Sequence, residues 1–360
     1  MPLHIINASG APYDMGRAIG EAIADTVHRV TIHNEEFVET ENRWTGSDYV
    51  RQMMDMTARI FPDLTRELEG MADGMGIAYE RAFLWNCRGD LRWPEDISPA
   101  VAFGLTEGCT SLILPATPDQ PATIAHNEDG SADYDGNCFW LVAKPDTGPA
   151  FESFLYPGMI PGHSMGANAA GLVQTINNVR VHDLKPGLPR HFICRAILSA
   201  RTLDEALNLL KRPDRASGFH HNLGSAAENR LASVEAPAST CHIETITGSP
   251  SAHANHLIRP NLRDIPQTIT HSSNVRQDRA DQLLREADLS ATTASDILFD
   301  NLPGHEILRR PKDGGDDYGQ TLGTGIFELS PEEVRISVHL GPDHQNAYTS
   351  RLILEPAPVS

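Results

Sequence analysis

The chain has no apolar run near the roughly 20 residues that cross a bilayer as a helix. Its start, Met1-Pro2-Leu3-His4, lacks the charged beginning and apolar core of a secretory signal, so a cytoplasmic location is expected. Positive charge is scarce: 29 Lys and Arg stand against 48 Asp and Glu, a formal net charge of −19. Nucleic acid and anionic membrane surfaces would be repelled, and neither is an expected partner. The five cysteines (Cys87, Cys109, Cys138, Cys194, Cys241) form no CxxC pair, which fits a reducing compartment and argues against a disulfide framework. The sixteen histidines include no HExxH, and no spacing puts three ligands on one element, so no metal is expected. No repeat, low-complexity tract or charge run marks a linker. With 40% hydrophobic residues, the 360-residue chain can bury a substantial core in one large domain or two.

What is present is a hairpin pattern that begins with a thiol. Glu107-Gly108-Cys109-Thr110-Ser111 opens the apolar run Leu112 to Leu114. Cys109 to Leu114 reads as a strand, Pro115 to Pro121 as a turn and Ala122 to Asn127 as a second strand. A hairpin symmetric about Asp119 sets Cys109 opposite Asp129, with Asn127-Glu128-Asp129 ending beside the thiol. A cysteine at such a place is ordinarily a packing thiol. The sharper reading makes Gly108–Cys109 a self-processing junction. Cleavage there frees the Cys109 amino group and puts nucleophile and general base on one residue.

The first hundred residues read as mainly helical. Met15, Ile19, Ile23, Val27 and Val30 form one stripe over Tyr13 to Val30, with Asp14 as a candidate cap. Asp63 to Met75 and Tyr79 to Trp85 follow as helices. Strands are expected over Phe139 to Ala143, Ala150 to Tyr156, Gly171 to Ile176, Arg230 to Val234 and Ser337 to Leu340, with helices over Arg190 to Leu207 and Asp278 to Ala287. This order suggests two sheets between helical layers.

Several stretches together carry a family resemblance. They are Gly10-Ala11-Pro12-Tyr13-Asp14-Met15-Gly16-Arg17 with Gly20, then Glu67 to Gly74, Trp85-Asn86-Cys87-Arg88, Gly108-Cys109-Thr110-Ser111 and Asn127-Glu128-Asp129. Further on come Gly166 to Leu172 with Asn177, His221-Asn222, Ser233-Val234-Glu235, His253-Ala254-Asn255-His256, and Ser273 with Arg276. In this order and spacing the chain resembles the penicillin acyltransferase (isopenicillin N acyltransferase) family of N-terminal-nucleophile hydrolases. The resemblance implies an α+β fold, a four-layer αββα sandwich formed by residues 1–360 as a single domain; no cofactor is expected. It implies cleavage between Gly108 and Cys109 into a mainly helical segment, 1–108, and a catalytic segment, 109–360, that stay associated. Cys109 matches the family nucleophile, Asp129 the acid of its Asn-x-Asp motif, Asn222 an oxyanion donor and Arg276 an arginine near the site. Asn177 matches a further polar position. The family's aromatic neighbours of that acid are replaced here by Glu128 and Gly130, which makes one wall of the pocket more polar and argues against penicillin as substrate.

The chemistry stands on the residues as well. A thiol with pKa near about 8.5 can pass its proton to an α-amine with pKa near about 8, so no separate histidine is needed. The thiolate attacks an amide carbonyl, the amine protonates the leaving nitrogen, and water or another amine takes up the thioester-bound acyl group. The expected activity is that of an amidohydrolase or acyltransferase on a non-peptide or small N-acyl amide, with hydrolysis of a small amide carrying a cationic or polar group favoured over acyl transfer, and with Asn127, Glu128 and Asn177 as further binding or oxyanion candidates. Each residue has a plainer alternative. Asp129 could cap a turn, Asn222 and Asn177 could satisfy loop or strand-end backbone, and Arg276 could pair with Asp278 or Glu286. Two other function classes stay open: a Cys-His peptidase working without self-cleavage, and a non-catalytic binding protein. A homo-oligomer is also left open.

Overall fold

The Cys109–Leu114 pattern forms the strand expected of it, and that strand's two faces explain the architecture. The computed structural model describes residues 3–91, 108–288, 290–310, 319–340 and 345–355. Met1, Pro2 and Glu107, named above, lie outside them. Strand β1 (His4–Gly10) is followed by helices α1 (Pro12–Arg29), α2 (Glu35–Trp44), α3 (Asp48–Ile60), α4 (Pro62–Met75) and α5 (Tyr79–Cys87). Next come β2 (Gly108–Leu114), β3 (Ala122–Ser131), β4 (Phe139–Pro145), β5 (Phe151–Leu155), β6 (Met165–Asn168), β7 (Leu172–Asn178) and β8 (Arg180–Val181). Then follow α6 (Arg190–Ile197), α7 (Leu203–Leu210), β9 (Phe219–Ser225), β10 (Arg230–Ala236), β11 (His242–Ile246), β12 (Ser251–His253) and β13 (Gln267–Thr268). The described chain ends with α8 (His271–Glu286), α9 (Ala294–Leu298), β14 (Gly319–Leu329), β15 (Glu333–Leu340) and β16 (Gln345–Ile353).

Two sheets carry the fold. One has eight strands in the order β1-β4-β5-β6-β7-β9-β10-β11, the other six in the order β12-β2-β3-β14-β15-β16. Successive side chains of a strand point to opposite faces, so each inner strand feeds two cores. From β2, Ile113 joins Ile124, Phe154, Met165 and Val173 between the sheets, whereas Leu112 and Leu114 turn outward to Ala280 of α8 and Ile297 and Leu298 of α9. On the far side, Ile19 and Ile23 of α1, Leu68 and Met71 of α4 and Phe83 of α5 cover Ile6, Leu141 and Phe151 of the larger sheet. The layers are thus helix, sheet, sheet, helix: an αββα sandwich. Among the described residues, no helix is long and apolar enough to cross a membrane.

The glycines of the first motifs have a packing reason. A Cβ on Gly16 or Gly70 would lie 2.0 Å from the backbone oxygen of Glu67 or Tyr13, and one on Gly20 or Gly74 would lie 2.3 or 2.4 Å from that of Met71 or Arg17. Glycine at every fourth position on both helices lets α1 and α4 touch backbone to backbone. A buried ion pair then ties this layer to the next helix: Arg195 of α6 donates to both oxygens of Glu67, with Nη2 2.8 Å from Oε2.

Several expected elements differ in detail. The Arg190 to Leu207 helix is two helices, because Thr202 and Glu205 form a reciprocal capping box that starts α7 afresh. Asp14 does not cap α1; Ala11 occupies the cap position, and Pro12 starts the helix with its preset φ. Helix α8 begins at His271, capped by the Thr270 side chain, seven residues before the expected start. Strand β1 and helices α2 and α3 were not expected individually; β1 runs parallel to β4 from the His4–Phe139 pair to Gly10–Pro145.

Candidate active site

The hairpin register is one residue away from the expected one. Cys109 pairs with Glu128, and Gly108 pairs with Asp129. The turn decides this: the Thr117 amide donates to the Gln120 carbonyl at 2.9 Å, and the Thr117 hydroxyl accepts from the Asp119 and Gln120 amides. Pro118 and Asp119 therefore share the tip, and the symmetry axis falls between them. A one-residue slip exchanges faces. Cys109, Ser111, His126 and Glu128 consequently share the inner face, while Gly108, Thr110, Asn127 and Asp129 face the α8–α9 layer.

On the inner face the Cys109 thiol donates to Glu128 Oε2 at 3.6 Å. Glu128 is held on both oxygens, by the Tyr156 hydroxyl at 2.7 Å on Oε1 and by His126 Nε2 at 2.9 Å on Oε2. His126 Nδ1 lies 2.7 Å from Ser111 Oγ, which donates to Asn177 Oδ1 at 2.6 Å. Burial pushes the Cys109 thiol well up, and the charges of Glu128 and Asp129 push the same way. Burial alone would raise Glu128 too, but the His126 hydrogen bond, the charge of His163 and the Tyr156 hydroxyl outweigh it and hold the carboxyl below its usual range.

The backbone of Cys109 is held from the other side. Its amide donates to Asn255 Oδ1 at 2.9 Å, and Arg276 of α8 donates to its carbonyl, to Thr110 Oγ1 at 3.0 Å and to Asn255 Oδ1 at 2.7 Å. Arg276 is buried and turned inward, not paired along a solvated helix face. Asn255 is itself fixed, its Nδ2 donating to the Asn178 carbonyl at 3.0 Å.

The other candidates are placed as follows. Asp129 accepts from Thr321 Oγ1 at 2.6 Å and lies 3.8 Å from Arg309, beside Gly108 and away from the thiol's face; burial raises its pKa against the pull of Arg309 and Arg276. Asn127 also faces outward, bonded to the Leu298 carbonyl and to Thr324. Asn177 faces inward with both ends of its amide engaged, its Nδ2 donating to the His253 carbonyl. Asn222 stands on the inner face of β9, in register with Thr175 and Ser233. It is buried, and neither amide atom has a hydrogen-bond partner among the described residues, so it is the available donor in this wall. The neighbouring His221 points to the opposite face, where burial first, then Arg215 and His163, press its pKa down to about 3. An unfolded histidine takes up a proton below about pH 6.5. Stability is therefore expected to fall as pH drops from there towards 3, and His221→Phe should flatten that loss in urea titrations run at pH 7 and pH 5.

Sequence reasoning missed Asn255, His126, Ser111 and Tyr156 as site residues. Ser111 and His126 were legible as residues two removed from Cys109 and Glu128 on alternating strands. One group among the described residues, Cys109, His126 and Glu128, brings a thiol, an imidazole and a carboxylate within 4.8 Å of one another, the arrangement a metal ion would need. Spacing arguments within one element do not see such a cluster because it forms across a hairpin. Its atoms are already joined to one another by hydrogen bonds, and they are read below as proton-transfer groups.

The family model described as Acyl-coenzyme A:6-aminopenicillanic acid acyl-transferase matches residues 116–341, so Cys109 precedes the matched part. The beta-alanyl-dopamine/carcinine hydrolase of Drosophila melanogaster is 25% identical over 354 residues, covering 90% of this chain and 88% of that protein.

Proposed function

The chain belongs to the acyl-coenzyme A:6-aminopenicillanic acid acyl-transferase family of N-terminal-nucleophile enzymes, and from that membership we propose that it is a self-cleaving cysteine amidohydrolase of small N-acyl amides. Residues 1–108 and 109–360 act as two associated chains of one αββα unit. The observation that carries the reading is the clamp on Cys109: Asn255 Oδ1 at its nitrogen and Arg276 at its carbonyl fix the one residue that would supply both thiol and amine. Nothing of this kind is needed for a packing thiol.

In the cut enzyme, the Cys109 amine takes the thiol proton and the thiolate attacks the substrate carbonyl carbon. Asn222 Nδ2 donates to the developing oxyanion, a contribution on the order of 3 kcal/mol. The amine returns the proton to the leaving amine nitrogen, and water hydrolyses the thioester to free acid and thiol. The Cys-His alternative lacks its contact, since the thiol's hydrogen-bond acceptor is Glu128 and not an imidazole.

The carboxylate of Glu128 beside the sulfur favours an acyl group bearing a cation. The relative's action on beta-alanyl-dopamine supports the same choice, because a β-alanyl group ends in an ammonium. Purified enzyme should release acid faster from β-alanyl amides than from N-acetyl or long-chain N-acyl amides of the same amine, by mass detection. N-terminal sequencing should read Cys-Thr-Ser on the longer chain. Acyl transfer to an added amine much faster than acid release would sink the hydrolase assignment.

A further inference from the structure

The self-cleavage reading leaves one proton without an acceptor. Before the cut, the Cys109 nitrogen is an amide whose N–H donates to Asn255 Oδ1, and its lone pair is delocalised into the Gly108 carbonyl. It cannot serve as base for the thiol beside it. We propose that Glu128, poised by His126, is the general base of the self-cleavage step, and that the α-amine takes over this role only afterwards. The proposal rests on the self-cleavage reading above.

Hydrogen-bond accounting fixes the state of this pair. The His253 carbonyl can only accept, so Asn177 must turn its Nδ2 towards it and present Oδ1 to Ser111. The single Ser111 hydroxyl proton therefore goes to Asn177, and Ser111 Oγ accepts from His126 Nδ1. With Nδ1 protonated, one proton remains between His126 Nε2 and Glu128 Oε2. Glu128 accepts from the Tyr156 hydroxyl on Oε1 and from the thiol on Oε2, the arrangement of an ionised carboxylate able to take a proton, and its carboxyl is held below the usual range. The groups facing the pair are Tyr156, His163, His220, Cys138 and Cys109, with Asp129 and Arg276 also acting on the thiol.

The step balances. Cys109 S–H gives its proton to Glu128, and sulfur forms a bond to the Gly108 carbonyl carbon. The Gly108 C–N bond then breaks, and the Cys109 nitrogen leaves as an amine with the proton returned by Glu128. Water adds to the thioester, releasing the Gly108 carboxylate and regenerating the thiol. Glu128 touches the reacting sulfur and is catalytic; His126, Ser111 and Asn177 position it.

The test is the rate at which the freshly translated full-length chain is cut, followed by mass from pH 6.5 to 8.5. Between the pKa values of carboxylate and thiol, a carboxylate base gives a pH-independent rate, because no proton is exchanged with solvent before the transition state. The Glu128→Gln variant must instead form thiolate through hydroxide. Its cutting should be slower by roughly 100-fold or more at neutral pH and rise about tenfold per pH unit. Cutting of Glu128→Gln at the wild-type rate and pH profile overturns the assignment while leaving self-cleavage intact. A wild-type chain that stays whole overturns both. If Glu128→Gln does not fold, Glu128→Asp decides: a slower but pH-independent rate supports the carboxylate base, and a tenfold rise per pH unit overturns it.

Discussion

The Cys109→Ala variant is expected to remain a single chain of 360 residues with no measurable amide hydrolysis, whereas the wild type is expected to give chains of 108 and 252 residues. On the proposed mechanism the substitution removes the atom that forms the thioester, and with it both self-cleavage and turnover. Losses of this kind in enzymes with a covalent intermediate reach roughly 10⁴-fold or more. The fold should survive, because β2 keeps its pairing with β3 and its neighbours at positions 112–114, and one buried sulfur is a small cavity. Gel electrophoresis and a hydrolysis assay on the same preparation check both halves. An uncut but active variant would refute the nucleophile, and a cut one would show that another protease makes the break.

Arg276→Met should cost the next largest amount. Its guanidinium joins the Cys109 carbonyl, the Thr110 hydroxyl and Asn255 Oδ1, so its loss frees the Cys109 backbone and the group that orients its nitrogen at once. A displacement of about 1 Å at a reacting group costs on the order of 100-fold in rate. The fall is expected in kcat with KM little changed, since no contact to substrate is removed directly. Lys at 276 should not rescue it, because an ammonium cannot span three acceptors set around a planar fork. A kcat within threefold of wild type in Arg276→Met would remove Arg276 from the site.

The layers of this fold were legible because they depend on simple periods. The Met15–Val30 stripe needs a sheet to cover, and the all-apolar Leu112–Leu114 run needs a partner on each face. The register was not legible, because it turns on whether a loop closes about one residue or between two. Thr117 settles that with its hydroxyl and amide, and no pattern in the strands announces it. The error exchanged Glu128 for Asp129 beside the thiol. The cluster was also hidden because Asn255 and Arg276 meet Cys109 from more than 140 residues away, and such meetings follow from topology. Helix α2 is short and polar, whereas α3 carries Val50, Met53 and Thr57 at helical spacing on its buried face and was legible as a helix; β1 acquires its strand character by lying on β4.

The parallel pairing of β1 with β4, joined by the Glu67–Arg195 bridge, has a consequence for the lifetime of the enzyme. Once the chain is cut as proposed, those contacts hold together two molecules. Their reunion after unfolding becomes bimolecular, set by the concentration in the tube and no longer by a tether. A tether supplies an effective concentration on the order of millimolar; at micromolar protein its loss is worth roughly 4 kcal/mol against refolding. The precursor is expected to fold again after heat or denaturant, whereas the cut enzyme, once opened, should recover with a yield that falls on dilution.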